Sequence, residues 1–300
     1  MLTELGPQPF IAGFTLGDCI TADGVRIRFA RGGSGPPLLL LHGHPQTHIT
    51  WRKIAPALAR HFTVIAPDLR GYGDSAKLQS DAAHAPYAKR AMADDQMALM
   101  AAHGFSRFRV IGHDRGGRVA HRLCLDHPDA VSQVAMFDLV PTAAMYGRAD
   151  QALATRYFWW FFLIQPEPLP ETLIGGDPAF FLRRHIGRQL DRADATEEAA
   201  FAEYLRCYSD PQTRHAICED YRAGARIDLT HDAEDRDRRI TAPLLALWGA
   251  RGGLPGLFDV LGEWRARAGD VRGRAMPCGH TPQEECPDET LAELAAFFGF

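Results

Sequence analysis

Short runs of apolar residues recur along the chain, and helical patterns separate several of them. Five runs stand out, at residues 37–41, 62–66, 108–111, 131–137 and 243–248. Runs that are apolar throughout are typical of strands covered on both faces, as in a parallel sheet. Each run ends in polar or glycine residues. These residues should meet at the carboxyl edge of the sheet, where ligands bind in such folds.

Two stretches show the period of an amphipathic helix. Within residues 97–104, and again within 291–298, small or apolar side chains fall at positions i, i+3, i+4 and i+7, which puts them on one helix face. Pro287 lies near the start of the second helix, where its missing N–H costs little. Strands that alternate with helices predict an α/β fold with a mostly parallel sheet and helices on both faces.

The alternation of strands and helices breaks in the second half of the chain. This part has helix-like segments, an aromatic cluster at 157–162 and two proline- and glycine-rich interruptions, but no convincing strand. We therefore predict a helical cap at residues 141–241. It would be inserted into an α/β core formed by residues 1–140 and 242–300.

Composition narrows the class of partner. Of the 300 residues, 46% are hydrophobic and 23% are charged, which is an ordinary balance for a soluble globular protein. The net charge of -4 argues against a nucleic-acid partner, because proteins that bind nucleic acids usually carry a basic excess. The sequence predicts no membrane span and no signal peptide at its start.

The six cysteines lie far apart and form neither a CxxC motif nor a Cys/His metal spacing. This pattern predicts the buried thiols of a reduced, cytoplasmic protein. The chain also has no glycine-rich phosphate motif. We therefore expect no metal and no organic cofactor.

The motif that points most directly to chemistry is Gly-His-Asp-Arg-Gly-Gly at residues 112–117, between an apolar strand and a helical pattern. A tight strand-to-helix turn needs small residues around a nucleophile and holds its side chain above the sheet. Here that residue is Asp114, at a helix N-terminus that favours an anion. Asp114 could instead be only a helix N-cap. The order of strand, turn and helix favours a nucleophile, and an aspartate would form an alkyl ester.

Hydrolysis of such an ester needs a base, an acid that orients the base, and an oxyanion hole. His280 precedes the final helix, which is the usual position of the base in this arrangement. Asp138, at the end of the strand after the turn, is the favoured orienting acid, and Asp259 is the alternative. The backbone N–H groups of His44 and Arg115 are predicted to form the oxyanion hole.

Arg115 and Arg118 lie three residues apart at the start of the helix and should share one face beside Asp114. Two guanidinium groups suit a substrate that carries its own carboxylate, held by charge-assisted hydrogen bonds. The alternative is that both arginines form structural ion pairs, with Asp138 or Asp94.

At these residues the chain resembles the haloacetate (fluoroacetate) dehalogenases of the α/β-hydrolase superfamily. The matching segments 42–47 (HGHPQT) and 68–73 (DLRGYG) are shared with epoxide hydrolases. The Asp-Arg-x-x-Arg run that begins at Asp114 and the segment 218–224 (CEDYRAG) are more specific. The resemblance implies an α/β-hydrolase fold with an inserted cap and an enzyme that hydrolyses carbon–halogen bonds.

The resemblance also implies a halide-binding site made by a His-Trp pair and a tyrosine of the cap. Tyr221 matches the tyrosine and Trp160 the tryptophan, whereas Trp159 stands where the family has histidine. An indole keeps one N–H donor but cannot become cationic. Fluoride is small and strongly hydrated, so this departure weakens the expectation of defluorination more than that of dechlorination or debromination.

We therefore predict a hydrolytic dehalogenase that acts on small 2-halo-carboxylates, such as haloacetates, through an ester on Asp114. An epoxide hydrolase is the first alternative. It needs acidic cap groups, typically two tyrosines. Tyr221 is one, and the candidates for the second are Tyr146, Tyr157, Tyr204 and Tyr208. The arginine pair argues against this alternative, because epoxides are neutral. A ligand-binding homologue without turnover is the second, although the Asp114, His280 and Asp138 set argues against it. The expected partner is the small-molecule substrate, with a homodimer left open.

Overall fold

A computed structural model describes residues 1–192 and 194–300. Its centre is a nine-stranded sheet. The strands are β1 (Leu2–Pro7), β2 (Phe14–Ile20), β3 (Arg26–Gly32), β4 (Pro37–Leu41), β5 (Thr63–Pro67), β6 (Phe108–His113), β7 (Val131–Phe137), β8 (Leu244–Gly249) and β9 (Val271–Met276).

The strand order in the sheet is β1-β2-β3-β5-β4-β6-β7-β8-β9. The first three pairings, from β1 to β5, are antiparallel, and the five pairings from β5 to β9 are parallel. The predicted mostly parallel sheet is therefore confirmed. Its parallel part brings the ends of β4, β6, β7 and β8 to one edge.

Fourteen α-helices accompany the sheet within the described ranges. Those before β8 are α1 (Ala55–Leu58), α2 (Lys89–Ala102), α3 (Asp114–Asp126), α4 (Thr142–Gly147), α5 (Gln151–Arg156), α6 (Phe158–Phe162), α7 (Leu169–Gly176), α8 (Pro178–Gln189), α9 (Glu198–Tyr208), α10 (Pro211–Ala225) and α11 (Ile227–Glu234). Those after β8 are α12 (Val260–Arg265), α13 (Pro282–Glu285) and α14 (Pro287–Phe298). Two short 3-10 helices lie at His48–Trp51 and Ala85–Tyr87.

Alternate residues of the central strands belong to two separate hydrophobic clusters, one on each face of the sheet. In β4, Leu39 and Leu41 belong to one cluster, and Leu38 and Leu40 to the other. All four side chains are fully buried, which explains why the run at 37–41 is apolar throughout. Burying one such side chain contributes about 1.5–3 kcal/mol relative to leaving it exposed.

Four strands fall outside the predicted runs, namely β1, β2, β3 and β9. β1 is exposed along most of its length, and β9 lies at the opposite edge of the sheet with Arg272 and Arg274 exposed. β2 and β3 lie inside the sheet but mix buried with partly or fully exposed residues. None of the four strands therefore has a continuous apolar run. The pattern that identifies central strands therefore could not find them.

Between β7 and β8, the described residues form eight helices, α4 to α11, and no strand. We refer to α4–α11 as the cap helices. Their position along the chain agrees with the predicted insertion, and the division into a core and a cap at 141–241 stays a prediction.

Three further observations concern the cysteines, possible metal sites and possible membrane-spanning helices. All six cysteines are free and buried. No cluster of three or more histidine, cysteine, aspartate or glutamate side chains in the described part of the chain is arranged to hold a metal ion. None of the helices described combines the length and apolarity that crossing a membrane requires.

Candidate active site

The turn between β6 and α3 holds Asp114 in a left-handed backbone conformation, with φ of 47°. Such a φ is uncommon for a residue with a side chain and marks a strained position. The chain can make the turn because its neighbours are glycines. A Cβ on Gly116 would lie 2.3 Å from the Leu41 carbonyl oxygen, and one on Gly112 would lie 2.6 Å from the Gly117 Cα. This is the geometry predicted from the motif at 112–117.

The loop after β4 approaches Asp114 closely. A Cβ on Gly43 would lie 2.5 Å from the Asp114 Cβ, so this position accepts only glycine. The backbone N–H of His44 donates a hydrogen bond to Asp114 Oδ1 at 3.1 Å. The N–H of Arg115 lies in the first turn of α3, where backbone donors have no acceptor within the helix. The positions of these two N–H groups agree with their predicted role as an oxyanion hole.

The structure brings His280 between the two predicted aspartates. Its Nδ1 is 2.5 Å from Asp138 Oδ2, and its Nε2 is 3.9 Å from Asp114 Oδ2. Asp259 has a different task, because its carboxylate caps α12 by accepting a hydrogen bond from the Gly262 N–H at 3.0 Å. Of the two predicted acids, Asp138 is therefore the one that contacts the base.

Asp138 is held from a second side. It follows β7 with φ of 52°, and its Oδ1 accepts a hydrogen bond from the Gly249 N–H, at the end of β8, at 2.8 Å. Two adjacent strands thus fix this carboxylate while its other oxygen contacts His280. Such a pairing selects the tautomer that carries a proton on Nδ1 and leaves Nε2 facing Asp114.

Electrostatics favour the charged form of both groups in this pair. Burial alone would raise the pKa of Asp114, but the charge of His280 and, more weakly, those of Arg118 and Arg115 lower it below its usual range. Burial likewise opposes charging of His280, yet its hydrogen bond with Asp138 and the charges of Asp138 and Asp114 raise its pKa. An ionised carboxylate can attack a carbon, and the adjacent imidazole can then activate water.

Arg115 forms an ion pair, but with an acid that the sequence reasoning did not consider. Its Nε and Nη2 donate to the two carboxylate oxygens of Asp220, in α10, at 2.8 and 2.9 Å. Asp220 also contacts Lys89 and accepts a hydrogen bond from the Tyr72 hydroxyl at 2.6 Å. Arg115 Nη1 is buried and has no hydrogen-bond partner among the described residues, so one edge of its guanidinium remains available to a ligand.

Arg118 is different from Arg115. Its Nη1 donates to the Val140 carbonyl and to the Thr142 hydroxyl, both at 3.0 Å. Neither of these partners is a carboxylate, and the buried Nε of Arg118 has no hydrogen-bond partner among the described residues. Burial and the nearby charge of Arg115 lower the pKa of Arg118 to about 10, which leaves it charged at neutral pH.

The predicted halide-binding aromatics line the same region. The Trp160 ring lies 4.4 Å from the Arg118 guanidinium carbon, and the Tyr221 ring lies 4.1 Å from that of Arg115. Trp160 and Tyr221 also meet edge to face at 5.9 Å. Trp159 contacts neither arginine among the cation–π pairs of the described residues and packs edge to face on His185, with the ring centres 4.8 Å apart.

One residue near the site, His185, was missed by the sequence reasoning, and Tyr208, a candidate only for the epoxide hydrolase alternative, lies beside it. Both are buried, and both lie beside the ring of His44, at 4.7 and 5.8 Å between ring centres. His185 is one of thirteen histidines and lies in a cap helix without a motif. Nothing in the sequence distinguishes it from a structural histidine.

A cavity of about 360 Å³ reaches His280 from the surface. Tyr157 and Trp159 form part of its wall. Three arginines, Arg156, Arg188 and Arg251, also line it, so the approach to the base is basic.

Comparison with known proteins agrees with this geometry. The alpha/beta hydrolase fold family matches residues 36–287, and the chain belongs to the α/β-hydrolases. A fluoroacetate dehalogenase from Burkholderia sp. is 43% identical over 91% of this chain and 90% of its own length. A soluble epoxide hydrolase from Corynebacterium sp. (strain C12) is 36% identical over 92% of this chain and 94% of its own length. Within the superfamily, the chain belongs to the haloacetate dehalogenase family, which is close to the epoxide hydrolases.

Among solved structures, one from Salmonella enterica, named as a candidate acyltransferase, is 58% identical to this chain. The similarity covers 99% of this chain and 98% of the other, with a TM-score of 0.98. The fold is therefore shared along the whole chain. The names given to these relatives differ, so the chemistry has to be argued from the side chains of the site.

Proposed function

We propose that this protein hydrolyses small 2-halo-carboxylates, such as haloacetates, to the 2-hydroxy acid and halide. The observation that carries the proposal is the contact of His280 with both Asp114 and Asp138 beside two buried arginines. A carboxylate nucleophile, a base and a cationic pocket are what the hydrolysis of an anionic alkyl halide requires.

In the first step, an oxygen of Asp114 attacks the α-carbon of the substrate. A carbon–oxygen bond forms, the carbon–halogen bond breaks, and the halide leaves with the bonding electron pair. The product is an ester on Asp114, with inverted configuration where the α-carbon is a stereocentre. The lowered pKa of Asp114 supports this role, because the group is ionised at neutral pH.

In the second step, water attacks the carbonyl carbon of the ester while His280 Nε2 takes one of its protons. The backbone N–H groups of His44 and Arg115 stabilise the oxyanion that forms. When this intermediate collapses, the bond between the carbonyl carbon and the alkoxy oxygen breaks, and that oxygen takes the proton held by His280, which releases the 2-hydroxy acid. The remaining proton passes from the Asp114 carboxyl group to solvent, which regenerates the carboxylate. Asp138 stabilises the imidazolium through its 2.5 Å contact with Nδ1.

The substrate carboxylate is assigned to Arg118 and to the open edge of Arg115. Arg118 donates hydrogen bonds to a carbonyl and a hydroxyl and forms no salt bridge among the described residues, and Arg115 keeps Nη1 unpartnered there. The halide is assigned to Trp160 and Tyr221, whose rings lie against these guanidiniums. Trp159 contributes to the pocket wall, since its ring packs on His185.

The rival functions fit the site less well. An epoxide is neutral and has no negative charge for Arg118 to bind. The two tyrosines that an epoxide hydrolase needs are present, because Tyr208 and Tyr221 both contact His44. Acyl transfer on this fold needs a hydroxyl or thiol nucleophile, whereas the turn presents a carboxylate. A ligand-binding protein without turnover would have no need for a histidine that contacts both Asp114 and Asp138. A cytoplasmic location and a homodimeric assembly stay predictions.

The proposed reaction is tested by halide release from fluoroacetate, chloroacetate and bromoacetate at equal concentration, with styrene oxide as a parallel substrate. We expect release of chloride and bromide, and a fall of about a thousandfold or more in an Asp114→Asn variant. The fluoride rate measures how well the site works with Trp159 in place of histidine. Diol formation from the epoxide, with no halide released from any acid, would establish the epoxide hydrolase instead.

A further inference from the structure

We propose that the His44 side chain is a positioning residue, which orients the hydroxyl proton of Tyr221 towards the leaving group. The inference rests on the proposed function and adds a group to it. The backbone N–H of His44 has a role in the oxyanion hole, but that role does not use the ring. The ring lies between two tyrosine hydroxyls, 3.3 Å from Tyr208 at Nε2 and 3.3 Å from Tyr221 at Nδ1.

His44 carries one ring proton. Burial lowers its pKa to about 3, against the opposing charge of Asp114. A neutral imidazole donates through one nitrogen and accepts through the other. The three groups therefore form a chain of hydrogen bonds in which all donors point the same way, and two directions are available.

In the first direction, Tyr208 donates to His44 Nε2, and His44 Nδ1–H donates to the Tyr221 oxygen. The unpaired proton is then that of Tyr221. In the second direction, Tyr221 donates to Nδ1 and His44 Nε2–H donates to the Tyr208 oxygen. The unpaired proton is then that of Tyr208.

The surroundings of the two tyrosines favour the first direction. Tyr208 is 1% exposed and stacks on Phe181 at 6.1 Å. Its hydroxyl has no hydrogen-bond partner besides His44 in the described residues, so an unpaired proton there would be buried without an acceptor, which costs about 1–3 kcal/mol. The Tyr221 ring instead faces Arg115 and Trp160 in the predicted substrate site, where a ligand can accept the proton.

In this arrangement the Tyr221 O–H donates a hydrogen bond to the halogen as the carbon–halogen bond breaks. No proton is transferred, because the halide leaves as an anion. Without the hydrogen bond from Tyr208 to His44, the Tyr221 hydroxyl could donate its proton to His44 Nδ1. The leaving group would then receive no hydrogen bond from Tyr221. The effect should be larger for chloride than for bromide, because the smaller anion concentrates its charge.

The sharpest test removes the Tyr208 hydroxyl, which begins the chain of hydrogen bonds, and leaves His44 and Tyr221 intact. In a Tyr208→Phe variant, the rate of ester formation in a single turnover should fall about five- to tenfold with chloroacetate and less than about twofold with bromoacetate. Tyr204→Phe is the matched control, because Tyr204 is a buried tyrosine of the same helix whose hydroxyl bonds Glu284 at 2.9 Å. Adding Tyr208→Phe to Tyr221→Phe should cause no further loss.

Thermal unfolding of each variant separates a loss of fold from a loss of orientation. An equal effect of Tyr208→Phe on both acids, or an effect no larger than that of Tyr204→Phe, would overturn the role of His44 and leave the proposed function standing. Absence of halide release from both acids by the unsubstituted protein would instead contradict the proposed function, on which this inference rests.

Discussion

At the scale of single residues, Arg115 and Arg118 lie one helical turn apart but have different hydrogen-bond partners. Arg115 is tied to Asp220 by two hydrogen bonds and is fully buried. Among the described residues, Arg118 bonds only to a carbonyl and to a hydroxyl. Stability should therefore depend on Arg115, and substrate affinity should depend more on Arg118.

Replacing Arg118 with glutamine should raise KM for chloroacetate about ten- to a hundredfold, because a charge-assisted hydrogen bond contributes about 1.5–3 kcal/mol. The melting temperature should change little. Arg115→Gln should lower it markedly, since breaking a buried ion pair costs about 3–5 kcal/mol. Steady-state kinetics and calorimetry provide the two readouts.

Arg122→Gln is a control for this pair, because Arg122 is a buried arginine of the same helix that pairs with Asp126 and Asp235 at 2.6 Å. It should lower stability and leave KM unchanged. Chloroacetamide, which lacks the negative charge, should be insensitive to Arg118→Gln. A KM that rises only in Arg115→Gln would assign the substrate carboxylate to Arg115 alone.

His280 should set the pH dependence of ester hydrolysis. Only the neutral imidazole can accept a proton from water, so the decay of the ester should speed up with pH and then reach a plateau. Burial opposes charging of His280, and the contact with Asp138, which the ester retains, favours it, so the midpoint should depend on the Asp138 charge. Rapid-quench mass spectrometry across a pH series measures this decay.

Asp138→Asn supplies the comparison for the pH series. It removes the charge that raises the pKa of His280, so the midpoint should move to lower pH while the plateau rate falls. A decay rate that is independent of pH across the neutral range would show that His280 is not the base.

Some of the residues in this site could be predicted from the sequence, and others could not. Asp114 and His280 occupy fixed places relative to a strand and a helix, so spacing along the chain identifies them. Asp138 was preferred over Asp259 because it directly follows a strand, and the geometry agrees. The pairing of Arg115 with Asp220 joins residues 105 positions apart, and it depends on how a cap helix packs, which no local pattern reports.

At the scale of elements, α10 explains why the segment 218–224 is a specific feature of the sequence. The helix brings Asp220 and Tyr221 to Arg115 from the cap side. Gly224 leaves room for the guanidinium, because a Cβ there would lie 3.2 Å from Arg115 Nη2. One helix thus provides the counter-ion, the aromatic contact and the space.

The turn between β6 and α3 offers a prediction at the same scale. Gly116→Ala would place a Cβ 2.3 Å from the Leu41 carbonyl oxygen and 2.4 Å from that of His42. Because both contacts are backbone atoms, the turn must shift, at a cost of about 1–3 kcal/mol. We expect a lower melting temperature together with reduced halide release.

Gly187→Ala is the matched change. Gly187 lies within α8, is exposed, and has no heavy atom within 4 Å of a Cβ placed there among the described residues. Alanine should stabilise this helix by up to about 1 kcal/mol and preserve activity. Equal behaviour of the two variants would show that the turn tolerates a side chain and that its geometry is not what holds Asp114.

At the scale of the whole molecule, the net charge is negative, yet the cavity that leads to His280 is basic. Arg156 and Arg188 donate hydrogen bonds there only to carbonyl oxygens, of Gly253, Pro255 and Thr155. Arg251 pairs with Asp191 at 2.7 Å. An anionic substrate should therefore be attracted to the opening by two charges that no acid side chain in the described structure balances.

The value of kcat/KM for chloroacetate should fall severalfold between about 0.01 M and 1 M salt, because the Debye length shrinks from about 30 to 3 Å. The value for neutral chloroacetamide should stay nearly constant. An Arg156→Gln/Arg188→Gln variant should have a lower kcat/KM at low salt and a flatter salt dependence, with kcat unchanged.

The control, Arg236→Gln/Arg265→Gln, removes the same charge from exposed positions elsewhere and should behave like the unsubstituted protein. Equal slopes in both double variants would contradict a local electrostatic effect.

The central claim is that Asp114 forms an ester that His280 is needed to hydrolyse, and trapping that ester tests it most directly. A His280→Ala variant is incubated with chloroacetate, and released chloride and the mass of the protein and its peptides are measured. We predict one chloride per protein and one carboxymethyl group on the peptide that contains Asp114, both absent from Asp114→Asn/His280→Ala. Chloride release without modification of Asp114, or the same modification in the double variant, would contradict the mechanism.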